Sequence, residues 1–429
     1  MNNAAFFVAA SELLDAILTG VAPADAHMER YFRGQPKLGV RDRGRIAETV
    51  YACLRRRRRL GILTRPDDGL KATAEGLVAA WLAIRQDWSV RALADNGYHG
   101  DATVLLERVR NPKTDPLPPA VACDLPDWLY ERLLAHYGEA ETRALSAALN
   151  EPATLDLRVN TLKATREEAA ACLVEAGFPA EPTPYSPSGL RRTERAPLFK
   201  TPCFEKGLIE VQDEGSQLLS LLLEPKRGEM IVDFCAGAGG KTLHLGALMA
   251  NSGSLYALDT AAKRLARIKP RLARAGLGNV RSVVIGHERD QRVLRLAGKI
   301  DRVLVDAPCS GTGTLRRNPD IKWRPIDLEK LLASQRVILD AAATLVKPGG
   351  RLVYATCSLL REENDDVVSG FLKRHPEFTA LSATEVLARR QITLPATPLP
   401  LGAALTDALR LLPHQHHTDG FFALVMQRA

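Results

Sequence analysis

The chain has 429 residues, more than one ordinary domain needs and enough for two or three. Its 46% hydrophobic and 25% charged residues are the balance of a soluble globular protein, and a net charge of +8 favours a polyanionic partner. Seven scattered cysteines, with no C-x-x-C pair and no Cys/His group at zinc spacing, exclude a zinc module and point to a reducing cytoplasm rather than a disulfide framework.

In chain order, Met1-Asn2-Asn3-Ala4-Ala5-Phe6-Phe7 lacks the basic start and long apolar core of a signal peptide. No apolar stretch approaches the ~20 residues of a membrane span, so a cytoplasmic protein without a membrane partner is expected. Residues 9–18, 46–54 and 77–84 carry apolar positions at helical spacing, which predicts a helical bundle over residues 1–120. Within it, Arg41, Arg43, Arg45 and the run Arg55-Arg56-Arg57-Arg58-Arg59 read as a phosphate-contacting surface, the bland alternative being a solvated helix face. A proline-rich linker follows at residues 111–125.

Residues 127–150 return to helical periodicity, residues 155–160 alternate like a strand, and a helix is expected over 166–176. Together with the Pro/Gly-rich stretch that follows, they predict a small α+β module over residues 121–210. From Ile231 onward strands and helices alternate, with strands at 231–234, 254–258, 280–285, 302–305 and 352–355 and a last strand at 421–426. Such alternation predicts a parallel, doubly wound α/β sheet over residues 211–429. His414, His416 and His417 lie in an irregular, proline-rich stretch without ligand-spaced partners and read as loop histidines, so no metal is expected.

The first strand-to-helix turn reads Asp233-Phe234-Cys235-Ala236-Gly237-Ala238-Gly239-Gly240-Lys241-Thr242. Glycines there let the backbone approach a ligand, and a helix N-terminus favours negative groups. A Walker A loop needs glycine where Cys235 stands, and a dinucleotide fingerprint fits only in part, with Thr242 where a small residue belongs. The remaining reading is the turn of a class I methyltransferase, which cradles the amino-acid end of S-adenosylmethionine. Asp259, ending the second strand, is then placed for ribose hydroxyls rather than acting only as a helix cap.

Two thiols close two further strands: Asp306-Ala307-Pro308-Cys309-Ser310 follows 303–305, and Thr356-Cys357-Ser358 follows 352–355. The carboxyl ends of parallel strands are where ligands bind, so both cysteines are expected to face one crevice. Either alone is as readily a core residue; the pair predicts covalent chemistry.

These phrases resemble the RNA (cytosine-5)-methyltransferases of the RsmB/Nop/Sun family. The resemblance rests on Gln212-Asp213-Glu214-Gly215-Ser216-Gln217, the Cys235–Thr242 turn, Asp306 through Gly313, Arg317-Asn318-Pro319-Asp320, Trp323, Tyr354 through Ser358 with Glu362-Glu363-Asn364, and Asp419-Gly420-Phe421-Phe422. Arg158-Val159-Asn160-Thr161 is similar to the family's small module before the catalytic domain, and the first 120 residues to the NusB-like domain of its bacterial small-subunit rRNA members. The resemblance implies an S-adenosylmethionine-dependent enzyme acting on RNA, with 16S rRNA expected, a monomer, and no metal. It assigns the attack on the base to Cys357, release to Cys309, recognition of the cytosine edge to Asp306, and leaves Lys241 as a candidate to favour the Cys357 thiolate. The cofactor set it implies is Cys235, Ala236, Gly237, Ala238, Gly239, Gly240 and Lys241 with Asp259, Arg264, His287 and Asp306. Two positions depart from the pattern: Ala238 stands where proline is usual, and His287 where an acidic residue usually meets the adenine, with Asp290 as an alternative contact. The same chemistry on tRNA or another rRNA site, or a non-catalytic RNA-binding assembly factor, are the competing readings.

Overall fold

Helical periodicity in the first 150 residues becomes nine α-helices among the described residues, several opened by side-chain caps. Asn2, Thr73, Ser89 and Asp101 each accept a backbone N–H of the first helical turn. The computed structural model describes residues 1–66, 69–111, 117–193, 197–397, 400–403 and 405–429. They form two compact units: Met1–Pro152 with Thr314–Ile326, and Ala153–Gly313 with Asp327–Ala429.

In the helical unit, the three predicted helices span Asn3–Thr19, Val40–Arg55 and Ala74–Arg85 and bury Phe6, Leu13, Leu14, Ile46, Val50, Leu54 and Leu77 in one core. Of the expected linker, residues 112–116 lie outside the described residues, while Pro119 already opens the short helix Pro119–Ala122. The next helix, Asp127–Leu149, kinks at Gly138 (φ 77°). Residues 314–326 are held from within this unit. The buried Lys322 Nζ donates to the carbonyls of Arg55 and Asp124 and to Asn150 Oδ1 at 2.8–2.9 Å, and Trp323 Nε1 donates to Leu54 O at 2.7 Å.

The arginine run does not form the expected phosphate surface. Arg55 is buried and donates to Arg316 O, Arg56 pairs with Glu151, and Arg57 donates to Leu70 O. Arg58 pairs with Asp127, and Arg59 with Asp124. Upstream, Arg43 donates to Leu38 O and Arg45 to Asn3 and Gln86. The reason is geometric: the run straddles the junction of two helices, Val40–Arg55 and Arg57–Thr64, with the turn at Arg56, so its side chains leave in different directions and most meet the unit itself.

The second unit opens with an antiparallel sheet of order β2-β3-β1-β4, made of β1 (Leu155–Val159), β2 (Glu181–Pro182), β3 (Gly189–Arg192) and β4 (Ile209–Val211). Helix Arg166–Glu175 lies between β1 and β2 in sequence and starts with a capping box of Thr165 and Glu168. Cys172 on this helix and Cys203 on helix Pro202–Glu205 form a disulfide, with Cα atoms 6.0 Å apart. This corrects the expectation from cysteine scatter: packing brings together two residues 31 positions apart.

The large sheet comprises β5 (Met230–Asp233), β6 (Ser254–Asp259), β7 (Val280–Val284), β8 (Ile300–Asp306), β9 (Val346–Thr356), β10 (Phe378–Leu381), β11 (Leu409–Leu411) and β12 (Phe421–Arg428). Its order is β10-β12-β9-β8-β5-β6-β7, with β11 pairing β12. Strands β5 to β9 are parallel, as predicted, whereas β12 runs antiparallel to β9. Val303, Leu304, Val305, Leu352, Val353 and Tyr354 are fully buried, as expected for strands covered on both faces. The chain winds from β5 to β6 and β7 on one side and returns to β8 and β9 on the other. The switch point therefore lies at the carboxyl ends of β5 and β8.

Candidate active site

At that switch point β5 runs into the glycine turn. Gly237 and Gly239 have φ of 57° and 85°, a region closed to most side chains, and Gly239 is the N-cap of helix Gly240–Leu248. A Cβ on Gly239 would lie 2.4 Å from Ile268 Cγ1, whereas one on Gly240 would meet nothing within 4 Å, so the turn packs on one side and is open on the other. Ala238, at the position of the usual proline, is pinned differently: its carbonyl accepts from Arg271 Nη1 at 2.6 Å. Gly240 O accepts from Arg158 Nη1 at 2.8 Å. Arg158 and Arg271 thus brace the turn from outside it, through the Arg-Val-Asn phrase of β1 and a basic helix, and sequence reading assigned neither this role.

Asp259 ties the turn to the end of β6. Its Oδ2 accepts from Gly237 N–H and its Oδ1 from Ala261 N–H, both at 2.7 Å. The guanidinium of Arg264 lies beside Gly237, 2.9 Å from where a Cβ would stand. Ala236 is buried and its N–H joins Leu258 O at 2.9 Å; Cys235 is half-buried, and burial with Asp233 nearby pushes its thiol well up. His287 stands exposed in the loop after β7, its Nδ1 accepting from Arg289 N–H at 3.1 Å. Asp290 accepts from Gly286 and Arg292 N–H and caps the following short helix, so it is engaged locally.

The open glycine face, the Asp259 carboxylate and one further group fit an S-adenosylmethionine. Asp233 is buried, accepts from Thr242 Oγ1 at 2.6 Å through Oδ2, and has Oδ1 buried with no hydrogen bond. Burial raises this carboxyl to about 7. An uncompensated buried acid beneath the turn suits a cationic ligand.

The two cysteines meet. Cys309 and Cys357, after β8 and β9, are half-buried, with sulfurs 3.4 Å apart. The hydrogen bond with Cys357, then burial, then the charges of Cys357, Glu363 and Asp306 hold the Cys309 proton on well above the ordinary thiol range. Asp306 Oδ2 pairs with Lys241 Nζ at 2.6 Å. Burial alone would lower the Lys241 pKa, but Asp306, with a smaller effect from Cys357, raises it. Lys241 is therefore a fixed cation whose nearest partner is the Asp306 carboxylate.

Several quoted phrases turn out to be framework. Gln217 Nε2 donates to Leu157 O and Gln212 O, and Asp213 Oδ2 accepts from Asp419 N–H at 3.1 Å. Glu214 is fully buried and accepts from Tyr185 and Ser186 N–H. His416 is buried, its Nδ1 accepting from Leu412 N–H at 3.0 Å. Among the described residues no group of His, Cys, Asp and Glu has the arrangement of a metal site, and no helix is long and apolar enough to cross a membrane.

A doubly wound sheet with a glycine turn at its switch point, an acid closing the next strand and an antiparallel β12 between β10 and β9 is the fold of the class I S-adenosylmethionine-dependent methyltransferases. Residues 220–427 match the family described as 16S rRNA methyltransferase RsmB/F, and residues 125–198 match the ferredoxin-like domain of RsmF/B-like methyltransferases. The chain is 36% identical over 307 residues to the probable ribosomal RNA small subunit methyltransferase B of Synechocystis sp., covering 71% of this chain and 67% of that one. It is 40% identical over 262 residues to the ribosomal RNA small subunit methyltransferase B of Photorhabdus laumondii, covering 61% and 60%. The matched stretch thus spans about two thirds of the length of these relatives. Among solved structures, PH0851 superposes with a TM-score of 0.79 at 28% identity over 100% of this chain and 99% of that one. A methyltransferase homolog from Pyrococcus horikoshii gives 0.62 at 30% identity over 72% and 98%. The chain belongs to the RsmB/Nop/Sun family of RNA methyltransferases.

Proposed function

We propose that this protein methylates C5 of a cytosine in RNA, with 16S rRNA as its substrate, through a covalent bond between Cys357 and C6 of the base. The observation that carries the reading is the pair of thiols 3.4 Å apart at neighbouring strand ends, beside the Lys241–Asp306 ion pair. C5 of cytosine is too weak a nucleophile to take a methyl group unaided. Addition of the Cys357 thiolate to C6 forms the S–C6 bond and moves the C5=C6 electron pair onto C5. Bound S-adenosylmethionine supplies the electrophilic methyl group. A base then takes the C5 proton, the C–H pair restores C5=C6, and the S–C6 pair returns to Cys357. Asp306 uses Oδ2 for Lys241, leaving Oδ1 for the N3/N4 edge of the pyrimidine.

The division of labour between the cysteines is the one the family resemblance implies. Cys357 is the attacker, and Cys309, whose proton is held on by its hydrogen bond with Cys357 and by burial, is the partner beside the bond that must break. The target base must leave any stack to reach these groups. In this reading residues 1–120 and the 121–210 module contact the RNA, Asp259, Arg264 and His287 line the cofactor side, and the enzyme works as a cytoplasmic monomer. Cys357→Ala should abolish transfer of labelled methyl to RNA, and retained activity would overturn the assignment. Cys309→Ala should accumulate a denaturant-resistant protein–RNA adduct; normal turnover without one would remove its release role. Bisulfite sequencing of total RNA with and without the protein tests the 16S assignment.

A further inference from the structure

The thiol pair is held by a carboxylate that the proposed reaction does not use. Glu363 is fully buried, and both its oxygens accept hydrogen bonds. Oε1 accepts from Ser310 N–H at 2.8 Å and Gln335 Nε2 at 2.9 Å; Oε2 accepts from Ser310 Oγ at 2.5 Å and from Ser358 Oγ. Ser310 follows Cys309 in the chain, and Ser358 follows Cys357. One carboxylate therefore binds the residue next to each cysteine. Its surroundings complete the grip. Gln335 Nε2 also donates to Pro308 O at 2.9 Å, on the other side of Cys309. Asn364 accepts from Thr356 Oγ1 at 2.5 Å and donates to Ser358 O at 2.9 Å, on both sides of Cys357. Tyr354 Oη donates to the backbone carbonyl of Glu363 at 2.8 Å.

We infer that Glu363 is a positioning residue that clamps the two cysteine loops together and fixes the separation of their sulfurs. Of the four groups facing the carboxylate, Ser310 N–H and Gln335 Nε2 only donate, whereas the two serine hydroxyls can turn to accept, so an amide can be satisfied there and a side chain without polar atoms breaks the clamp. Hydrogen bonds to a buried charge are stronger than neutral ones, and their loss leaves donors unpaired in the interior. The negative charge also lies among the groups that keep the proton on Cys309. Glu363 touches neither sulfur; it acts through Ser310 and Ser358.

The role as a clamp for catalysis rests on the reading given under Proposed function, but the geometry is testable without RNA or cofactor. Diamide, a thiol oxidant, should join Cys309 and Cys357 rapidly in the full-length protein, with the diamide reduced to its hydrazine. Peptide mapping by mass spectrometry gives the rate. Glu363→Ala should slow that cross-link at least tenfold. It should also lower kcat for RNA methylation at least a hundredfold, with the Kd for S-adenosylmethionine within twofold of wild type. Should Glu363→Ala fail to fold, Ser358→Ala, which removes one leg and leaves the carboxylate its other donors, should slow the cross-link at least threefold. An unchanged cross-linking rate in the folded variant would overturn the clamp. A Glu363-dependent rate in a protein that methylates no cytosine would keep the clamp and reject the catalytic reading instead.

Discussion

Asp233 and Cys309 show how the packed environment changes residues whose type alone is ambiguous. The Asp233 carboxyl is raised to about 7 because it sits in the interior with only Thr242 bound to it. The folded state therefore holds this proton more tightly than the unfolded chain, whose carboxyl titrates near 3.8. Between those values the folded state carries the extra proton, so stability falls as pH rises through this window, and the cost is complete above about 7. Without S-adenosylmethionine, the stability advantage of Asp233→Asn over wild type should grow from pH 4 to pH 7 with a slope of at most about 1.4 kcal/mol per pH unit. Chemical denaturation across that range measures it, and parallel curves would refute it. The position of Asp233 at a strand end was readable; its missing second partner was not, because that depends on what lies above it. Likewise both cysteines were visible as strand-end residues, but their 3.4 Å separation and the raised proton affinity of Cys309 come from two loops meeting.

The elements of the methyltransferase sheet follow their apolar runs closely, since fully buried strands leave an unmistakable pattern of branched residues. What joins the elements is less visible. Gly313 N–H donates to Cys357 O at 2.9 Å, and Gly313 O accepts from Gly420 N–H at 2.8 Å. The loop after β8 is thus laced to the end of β9 and the start of β12. A Cβ on Gly313 would lie 2.1 Å from Gly420 O and 2.9 Å from Cys357 O, backbone atoms that cannot swing aside. Gly313→Ala should cost about 1–3 kcal/mol of stability and reduce methyl transfer at least tenfold by displacing the Cys357 loop. A thermal midpoint and activity equal to wild type would show that the lacing can relax. The glycines of this phrase belong to the family resemblance, yet their reason, three backbones in contact, appears only when the strands are assembled.

At the level of the whole molecule, the chain passes between the two units three times, because residues 314–326 belong with the helical unit rather than with the sheet they follow in sequence. Within that unit the segment supplies Asp320 Oδ2 to Ala24 N–H, Lys322 to three acceptors and Trp323 to Leu54 O. A fragment of residues 1–152 alone should therefore melt at lower temperature than the same residues in the full chain, and a peptide of residues 314–326 added in trans should raise its midpoint. A fragment indifferent to the peptide would refute this. Burial lowers the Lys322 pKa to about 7, below the unfolded value of 10.5, against the pull of Asp124. The unfolded chain then holds the extra proton between these values, so stability should rise with pH from about 7 toward 10, and Lys322→Met should flatten that rise. Sequence by itself determined the alternation of the parallel strands with their helices, the cofactor turn, the strand-end residues and the family, because each is written in local periodicity or in contiguous phrases. In contrast, β10 was not legible, nor were β11 and the short helix Pro413–His416 in the stretch read as irregular. Tertiary structure alone decided the inward use of the arginine run, the Cys172–Cys203 bond, the pairing of Lys241 with Asp306, and the grip of Glu363 on both cysteine loops. These are relations between residues far apart in the chain. Which donor meets which acceptor is set by packing, and packing has no signature in any single stretch of sequence.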